Sequence, residues 1–398
     1  MIHEIVVLGG GAAGFFAAIT AAALGKRVLL LEKTKRPLAK VRISGGGRCN
    51  VTHACFDVNE LVKNYPRGQK ALRGPFSRFQ PQDTIRWFQE RGVELKCEAD
   101  GRMFPITDSS ETIINCLMQE SAKAKVEIIL EAGVEKIEKR EAGYCLHLSN
   151  QSQIKCSKLV VASGSQRSIF SQLEALGHTI VPPVPSLFTF NIANFSLVDL
   201  AGVSVPMAKV SVLGLEQAGP LLITHWGFSG PAVLKLSSFG ARLLHECGYK
   251  AEVTINWNDA LSFDEKQKCL LDAKALSSKK QIANFCPFDF PQSLWRALLA
   301  RSKIDPSQRF ADLSKREVLQ LLEVLHRDRY QIFGQTTYKE EFVTCGGVSL
   351  DDVNFKTMES KVTRGLYFAG EVLDIDGITG GFNFQNAWTT GYIAGSSI

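Results

Sequence analysis

Apolar and polar positions change style along the chain. Ile5–Leu8 and Val28–Leu31 are short apolar runs that read as buried strands, and the alanine-rich stretch Ala12–Leu24 between them suits a helix closed by Gly25. A helix is predicted over Asp83–Arg91, capped by Asp83 and stopped by Gly92, and an amphipathic one over Glu111–Ala124, with Ile113, Ile114, Leu117 and Met118 on one face. Val93–Glu98 and Arg102–Phe104 flank Ala99-Asp100-Gly101 as a hairpin. Val126–Leu130 reads as a third parallel strand. Val134–Ile137, Tyr144–Leu148 and Ile154 read as a small antiparallel crossover, and Leu159–Val161 as a further buried strand. After Pro182-Pro183-Val184-Pro185, which mark a domain exit, short strands dominate from Leu187 to Trp257. Helices follow from Ser262 to His326, with capping boxes at Ser262/Glu265 and Ser314/Glu317 and a helix over Pro291–Ala300 between them. Strand-like runs return at Tyr330–Phe333 and Phe342–Thr344. The opening style then reappears in Gly365–Glu371, a strand ending in glycine and acid, and in a last helix running to Ala394.

Glycines punctuate the strand ends. Gly9, Gly11 and Gly14 have the G-x-G-x-x-G spacing, and Glu32 closes the second strand. Strand, turn, helix, strand and acid together make the fingerprint of a dinucleotide site. Gly9 permits the tight turn, Gly11 lets the backbone approach a pyrophosphate at the positive helix end, Gly14 allows close helix packing, and Glu32 suits a ribose. The uncharged run Ile5–Gly25 is long enough to span a membrane, but four glycines interrupt it and a second strand follows at once. A second glycine-rich turn, Ser44-Gly45-Gly46-Gly47-Arg48-Cys49-Asn50, forms a nest for an anion or a flavin edge; Arg48 suits a phosphate there and Asn50 a ring carbonyl. Ala162-Ser163-Gly164-Ser165 and Gly380-Gly381-Phe382-Asn383-Phe384-Gln385 are two more turns of the kind that let a cofactor approach the backbone.

Composition narrows the class only a little. The 398 residues are 45% hydrophobic and 22% charged, which is ordinary for a globular chain of two or three domains. A net charge of +6 is compatible with anionic ligands without demanding nucleic acid. Ten cysteines carry no C-x-x-C pair and seven histidines no H-x-x-x-H, which argues for reduced thiols in a cytoplasmic protein and against a metal site. Charge is uneven, however. Lys63–Arg78 holds five basic residues (Lys63, Arg67, Lys70, Arg73 and Arg78) and no acid, with Tyr65 and Phe76 interleaved. Such a stretch reads first as a solvated surface loop. Its alternative is an RNA surface, by phosphate contact and base stacking.

Four segments carry a family resemblance: GGGRCNVTH, LITHWGFSGPAVLKLS, VTCGGVSLDDVNFKTMESK and GLYFAGEVLDIDGITGGFNFQNAWTTG. With them the whole chain resembles the YhiN/BaiN-type FAD-dependent oxidoreductases, also labelled the aminoacetone oxidase family. The resemblance implies an α/β architecture: a Rossmann-like FAD-binding domain from residues 1–187 and 345–398, interrupted by an inserted domain at 188–344. Within the insert, 188–258 and 328–344 are expected to form a β-barrel and 259–327 a three-helix subdomain. The resemblance further implies that Gly9, Gly11, Ala13, Gly14 and Glu32 hold the AMP half, flanked by Lys33 and Arg42. Ser44, Gly45, Gly46, Gly47, Arg48, Cys49 and Asn50 would lie along the pyrophosphate and isoalloxazine. Val134 would meet adenine, and Ala162 and Gly164 would close the site. Gly370, Glu371 and Asp376 would take the ribityl chain, with Gly380, Gly381, Phe382, Asn383 and Gln385 near the pyrimidine edge. Relatives carry Ala-Thr-Gly-Gly where this chain has Ala162-Ser163-Gly164-Ser165, a departure in how flavin or substrate is covered.

FAD would supply the redox chemistry, and a single G-x-G-x-x-G leaves NAD(P)H to dock transiently as electron donor. The leading expectation is reduction of an activated C=C bond, with uridine to dihydrouridine in 23S ribosomal RNA as one substrate and an unsaturated small molecule as another. Such a reaction needs an acid to deliver a proton, and Cys345 and His225 are the candidates, each in a glycine-bounded stretch. The simpler view of both is packing. Rival classes are an amine or aminoketone oxidase, and an RNA-binding flavoprotein without catalysis. No membrane or DNA partner is expected.

Overall fold

The computed structural model describes residues 2–336 and 343–398. The chain divides into two compact units, Met1–Ser186 with Tyr338–Ile398, and Leu187–Thr337.

The first unit is built on a parallel sheet in the order Glu127–Ile129, Val28–Leu31, Ile2–Leu8, Gln153–Val161, Leu366–Phe368. Val28–Leu31 is buried along its whole length, as a parallel strand covered on both faces must be. Short antiparallel strands, Glu359–Ser360 and Val353–Asn354, extend one edge. The hairpin of Val134–Arg140 and Gly143–Leu148 leans on the first half of Gln153–Val161. Ile154 and Leu159–Val161, read separately from the sequence, are thus one strand. The apolar run Ile5–Gly25 is a strand followed by the helix Ala12–Ala23. Gly25, at φ +83°, donates its N–H to the Ala22 carbonyl at 2.9 Å and ends that helix.

That first helix packs against the last one, Phe382–Ser396. Their backbones approach so closely that side chains are excluded from the seam. A Cβ on Gly391 would stand 2.7 Å from the Ala13 carbonyl oxygen, and one on Gly395 would stand 2.5 Å from that of Ala17. Phe16 then fills the space beside the seam against Phe79, Trp87 and Trp388.

Two local readings change. The helix expected from Asp83 starts earlier, at Pro81, with Gln80 as its cap; Asp83 sits at the third position and accepts the Gln80 N–H at 2.9 Å. Lys63–Arg78 is not a loop but carries the helix Gln69–Phe76. Tyr65 and Phe76, the aromatics expected to stack on bases, are both buried. The run Pro182–Pro185 lies in the strand Ile180–Ser186, paired with Val343–Val348 and bulged between Val181 and Val184. Prolines fit an irregular strand of that kind. The expected boundary at 344 therefore falls inside a strand, and Phe342 lies outside the described residues.

The second unit is a closed barrel in the order Thr189–Ile192, Gly227–Ser229, Leu215–Ile223, Ser204–Val212, Ala251–Asn256, Asp328–Thr336. Phe190, Val210, Leu221, Phe228, Val253 and Ile255 are buried in its core. Two short helices, Pro231–Phe239 and Ala241–Glu246, lie in the stretch expected to be dominated by short strands; proline at the first helical position is the signal for the first of them. Three longer helices follow: Phe263–Leu276, Gln292–Arg301 and Lys315–Arg327. Both capping boxes form, with Ser262 Oγ accepting the Glu265 N–H at 3.3 Å and Ser314 Oγ accepting that of Glu317 at 3.2 Å.

A side chain in the glycine seam should be costly. Gly391→Val is expected to destabilise the protein by about 1–3 kcal/mol through overpacking, measured as a lower urea midpoint. An equal substitution at the exposed, unobstructed Gly74, also inside a helix, is the reference for the change in helix propensity alone.

Candidate functional site

The register of the parallel sheet decides where the glycine turns meet. Leu8 pairs with Leu31 and with Val161, Leu31 with Ile129, and Val161 with Phe368. The strands therefore end level, and the segments that follow them leave from one edge. Gly9–Gly11, Glu32, Ala162–Gly164 and Ala369–Gly370 are those segments. The carboxyl edge of such a sheet is where α/β folds bind nucleotides.

Each glycine of the fingerprint can be tested by the Cβ it lacks. On Gly9 (φ +113°) a Cβ would lie 2.4 Å from the Ala162 carbonyl oxygen, and on Gly14 it would lie 1.9 Å from that of Gly9. Those two are demanded by the protein itself. On Gly11 nothing lies within 4 Å, so the protein does not require glycine there. The space next to Gly11 opens the first helix's N-terminus to a ligand. Glu32 underpins the turn: one carboxylate oxygen accepts the Gly10 N–H at 2.8 Å, and the other accepts the N–H and hydroxyl of Thr34 at 2.8 Å each. The oxygen that accepts from Gly10 has a second lone pair for a ribose hydroxyl. Lys33 is exposed beyond it, and Val134 is buried at the start of the hairpin.

The second glycine turn is a kinked end of the segment Ala39–Gly47, where Gly45, Gly46 and Gly47 have φ of +57°, +68° and +83°. Gly46 and Gly47 face no neighbouring atom within 4 Å, as a cradle for a ligand should. Arg48, expected on a phosphate, instead pairs with Glu98 at 2.7 Å and lies over the Phe104 ring at 4.0 Å. Cys49 is buried, and burial pushes its thiol up to about 12, so it packs rather than reacts. With its amide oriented to match its neighbours, Asn50 ties the turn to the chain's far end, accepting the Gly381 N–H at 3.0 Å and donating to the Thr52 carbonyl at 3.0 Å. Ser44 donates to the Val41 carbonyl. Arg42 pairs with Glu111, while its buried Nε has no hydrogen-bond partner among the described residues.

Among the C-terminal candidates, Glu371 accepts from Lys40 at 2.6 Å and lies beside Gly164. Lys40 is a cation that no sequence motif singles out. Gly370 donates to Thr390 Oγ1, and a Cβ on it would sit 2.8 Å from the Ala13 Cβ. Phe382 stacks on His53 at 4.7 Å, and Asn383 pins Gly377 by two bonds of 2.8 and 2.9 Å. Gly380 and Gly381 hold positive φ at the start of the last helix. Two expectations need correction. Gln385 is fully buried and its amide is satisfied by Thr52, Thr84 and Thr389, so it is a core knot rather than a pyrimidine contact. Asp376 is also fully buried, in a bidentate pair with Arg67 and bonded by Ser186 at 2.6 Å. Burial opposes the charge on Arg67, and Asp376 more than offsets it. Arg67 thereby leaves the basic surface stretch, and Lys63 is paired with Glu60.

The two proton-donor candidates lie in different units. Cys345 is buried on the strand Val343–Val348, opposite Val184 and near Arg67. His225 is exposed on the turn Thr224–Gly227, which Thr224 Oγ1 fixes by accepting the Gly227 N–H at 3.2 Å. Its neighbour Trp226 is 61% exposed.

Residues 3–397 match the model of the HI0933-like protein Rossmann domain. The chain belongs to the HI0933-like family. These are the YhiN/BaiN-type FAD-dependent oxidoreductases, and the chain is a flavin-dependent oxidoreductase. Over 400 residues it is 30% identical to the ribosomal RNA dihydrouridine synthase of Escherichia coli, covering 98% of this chain and 96% of that one. It is 27% identical over 408 residues to the 3-dehydro-bile acid delta(4,6)-reductase of Clostridium scindens, covering 99% and 98%. In fold it resembles the 3-ketosteroid-delta4-(5alpha)-dehydrogenase of Rhodococcus jostii, with a TM-score of 0.53 at 13% identity over 99% of this chain and 96% of that one. No described helix is long and apolar enough to cross a membrane.

The HI0933-like site fits FAD on this chain's own evidence: the free approach at Gly11, the glycine cradle at Gly46 and Gly47, and the orphaned donor of Arg42. Gly11→Ala should accordingly leave the apoprotein's stability within about 1 kcal/mol of the parent, the range of a capping change. FAD affinity should fall about tenfold or more, or about 1.4 kcal/mol. Urea unfolding of apoprotein and flavin titration check the two halves. Arg67→Met removes the guanidinium from a buried carboxylate and should cost about 3–5 kcal/mol. The variant's Asp376 then has a raised folded pKa, so its folded state binds more protons and the deficit narrows as pH falls towards about 4. Unfolding curves at two pH values measure this.

Proposed function

We propose that this HI0933-like chain is an FAD-dependent reductase of an activated C=C bond whose substrate is a uridine in 23S ribosomal RNA, with NAD(P)H as electron donor. The reading is carried by the full-length 30% identity to a ribosomal RNA dihydrouridine synthase, on a chain whose glycine turns leave one edge of a parallel sheet. The reaction would add two hydrogens across the C5–C6 bond of uracil, one as a hydride equivalent whose electrons NAD(P)H would supply and one as a proton. It belongs in the cytoplasm, where ribosomal RNA is.

FAD, when bound, supplies the hydride chemistry. The protein supplies binding, orientation and a proton. Gly9, Gly11, Ala13 and Gly14 give the AMP half access to the first helix's N-terminus, and Glu32 takes the ribose. Lys33, Lys40 and Arg42 offset phosphate charge. The cradle Ser44–Gly47 and the turn Gly380–Phe382 hold the remaining length, with Ala162, Gly164, Gly370 and Glu371 closing the sheet edge. His225 is the better proton donor of the two candidates, being exposed on a fixed turn, whereas Cys345 is buried.

Reduction of a small-molecule enone is the second reading, favoured by the full-length relative named as a bile-acid reductase. Mass spectrometry of ribosomal RNA from cells with and without the gene separates the two. A dihydrouridine that disappears on deletion and returns on complementation supports the RNA reading; an unchanged profile overturns it in favour of the enone. Complementation with His225→Ala is expected to leave dihydrouridine largely unrestored, while Cys345→Ala restores it. Full restoration by His225→Ala removes that residue from the mechanism.

A further inference from the structure

The first unit carries a groove of about 930 Å³ that none of the glycine turns lines. One wall is the helix Gln69–Phe76 with the residues around it, contributing Lys70 and Arg78. The other is the turn and hairpin from Leu350 to Lys361, contributing Lys356 and Lys361. Those four cations face a single acid in the lining, Asp351. All four are exposed. Arg78 donates to the Lys356 carbonyl and so clamps the walls together, while Lys361 bonds the Asp351 carbonyl at 2.9 Å. Phe355 adds aromatic surface.

Both walls are fixed to the loop that frames the candidate flavin site. From the first, Arg67 holds Asp376, the Tyr65 hydroxyl donates to the Phe382 carbonyl at 2.7 Å, and the Asn64 carbonyl accepts the Ile378 N–H at 2.9 Å. Ile375 packs where a Cβ on Gly68 would lie, at 2.7 Å. The second wall runs through the strand Leu366–Phe368 into Gly370.

A groove with an excess of fixed cations and one aromatic matches a polyanion with bases, and a phosphodiester backbone is that polyanion. We propose that this groove docks the backbone of the RNA substrate, with Lys70, Arg78, Lys356 and Lys361 on its phosphates. The inference rests on ribosomal RNA being the substrate. It replaces the basic stretch read from sequence by a surface in which half the charge comes from a hairpin almost three hundred residues further along.

The test uses the FAD-loaded full chain and a fluorescein-labelled, uridine-rich single-stranded RNA, titrated between about 50 and 200 mM salt. The triple variant Lys70→Ala, Lys356→Ala, Lys361→Ala is expected to bind about tenfold or more weakly at the low end. Its plot of log affinity against log salt should be shallower by about 2, since each single-strand phosphate contact contributes about 0.7. The matched triple Lys268→Ala, Lys279→Ala, Lys315→Ala, exposed on the helical subdomain, should keep the parent slope. All three proteins should share one flavin spectrum. The single reversal Lys356→Glu makes the same test with one side chain. Equal slopes in the two triples overturn the proposal. Complementation of the deletion strain separates it from the reading beneath it. If the parent gene restores no dihydrouridine, the substrate assignment fails and takes the groove with it. If the parent and the groove variant restore it equally, the groove alone fails.

Discussion

The bare seam between the first and last helices is the constraint on which the flavin unit depends. Gly391 and Gly395 let the last helix lie on the backbone carbonyls of Ala13 and Ala17. Close backbone packing of this kind gives dispersion contact along the whole seam with no side-chain entropy to lose. It also closes the chain on itself. The first helix begins at the dinucleotide turn and the last one at Gly381, so the seam sets the distance between two glycine turns that lie hundreds of residues apart in sequence. Asn50 adds a third point by accepting from Gly381, which draws the Ser44–Asn50 cradle to the same place.

Level strand ends complete the arrangement. A parallel sheet can begin and end raggedly, but here Leu8, Leu31, Ile129, Val161 and Phe368 are paired in register. Each following segment needs only one or two residues to reach the common edge, and short segments hold their geometry better than long ones. Glu32 shows the economy of the design, since the acid that suits a ribose also carries the Gly10 turn. A ligand there meets groups already held in place, which lowers the ordering cost of binding.

Much of this was legible in sequence because it is local. The G-x-G-x-x-G turn, the helix ending at Gly25 and the two capping boxes each depend on residues within a few positions of one another, and all appear as read. What failed was polar chemistry with a distant partner. Asp376 and Gln385 sit in a loop rich in ligand-like residues, and nothing nearby reveals that Arg67 and Thr52 already hold them. Arg48 is similar, its partner Glu98 being fifty residues away. Tyr65 and Phe76 differ for another reason: Phe76 closes the short helix Gln69–Phe76 and Tyr65 precedes it, yet both are buried, the Tyr65 hydroxyl held by the distant Phe382 carbonyl. The i, i+4 glycine pair Gly391/Gly395 was the available signal for the helix seam.

Surface charge obeys the same logic with the opposite outcome. A buried cation must find a carboxylate, so folding removes Arg67 from the count of free positive charge even though its sequence neighbours remain exposed. Meanwhile the hairpin of Val353–Asn354 and Glu359–Ser360 brings Lys356 beside Arg78. The basic character of a stretch of sequence is therefore a poor guide to the basic character of a surface: ion pairs subtract from it, and topology adds to it from elsewhere. On the proposed reading, backbone contacts fix the cofactor half and selection of the substrate falls to such an assembled surface. Members of one family can then keep the glycine framework and differ in what they reduce.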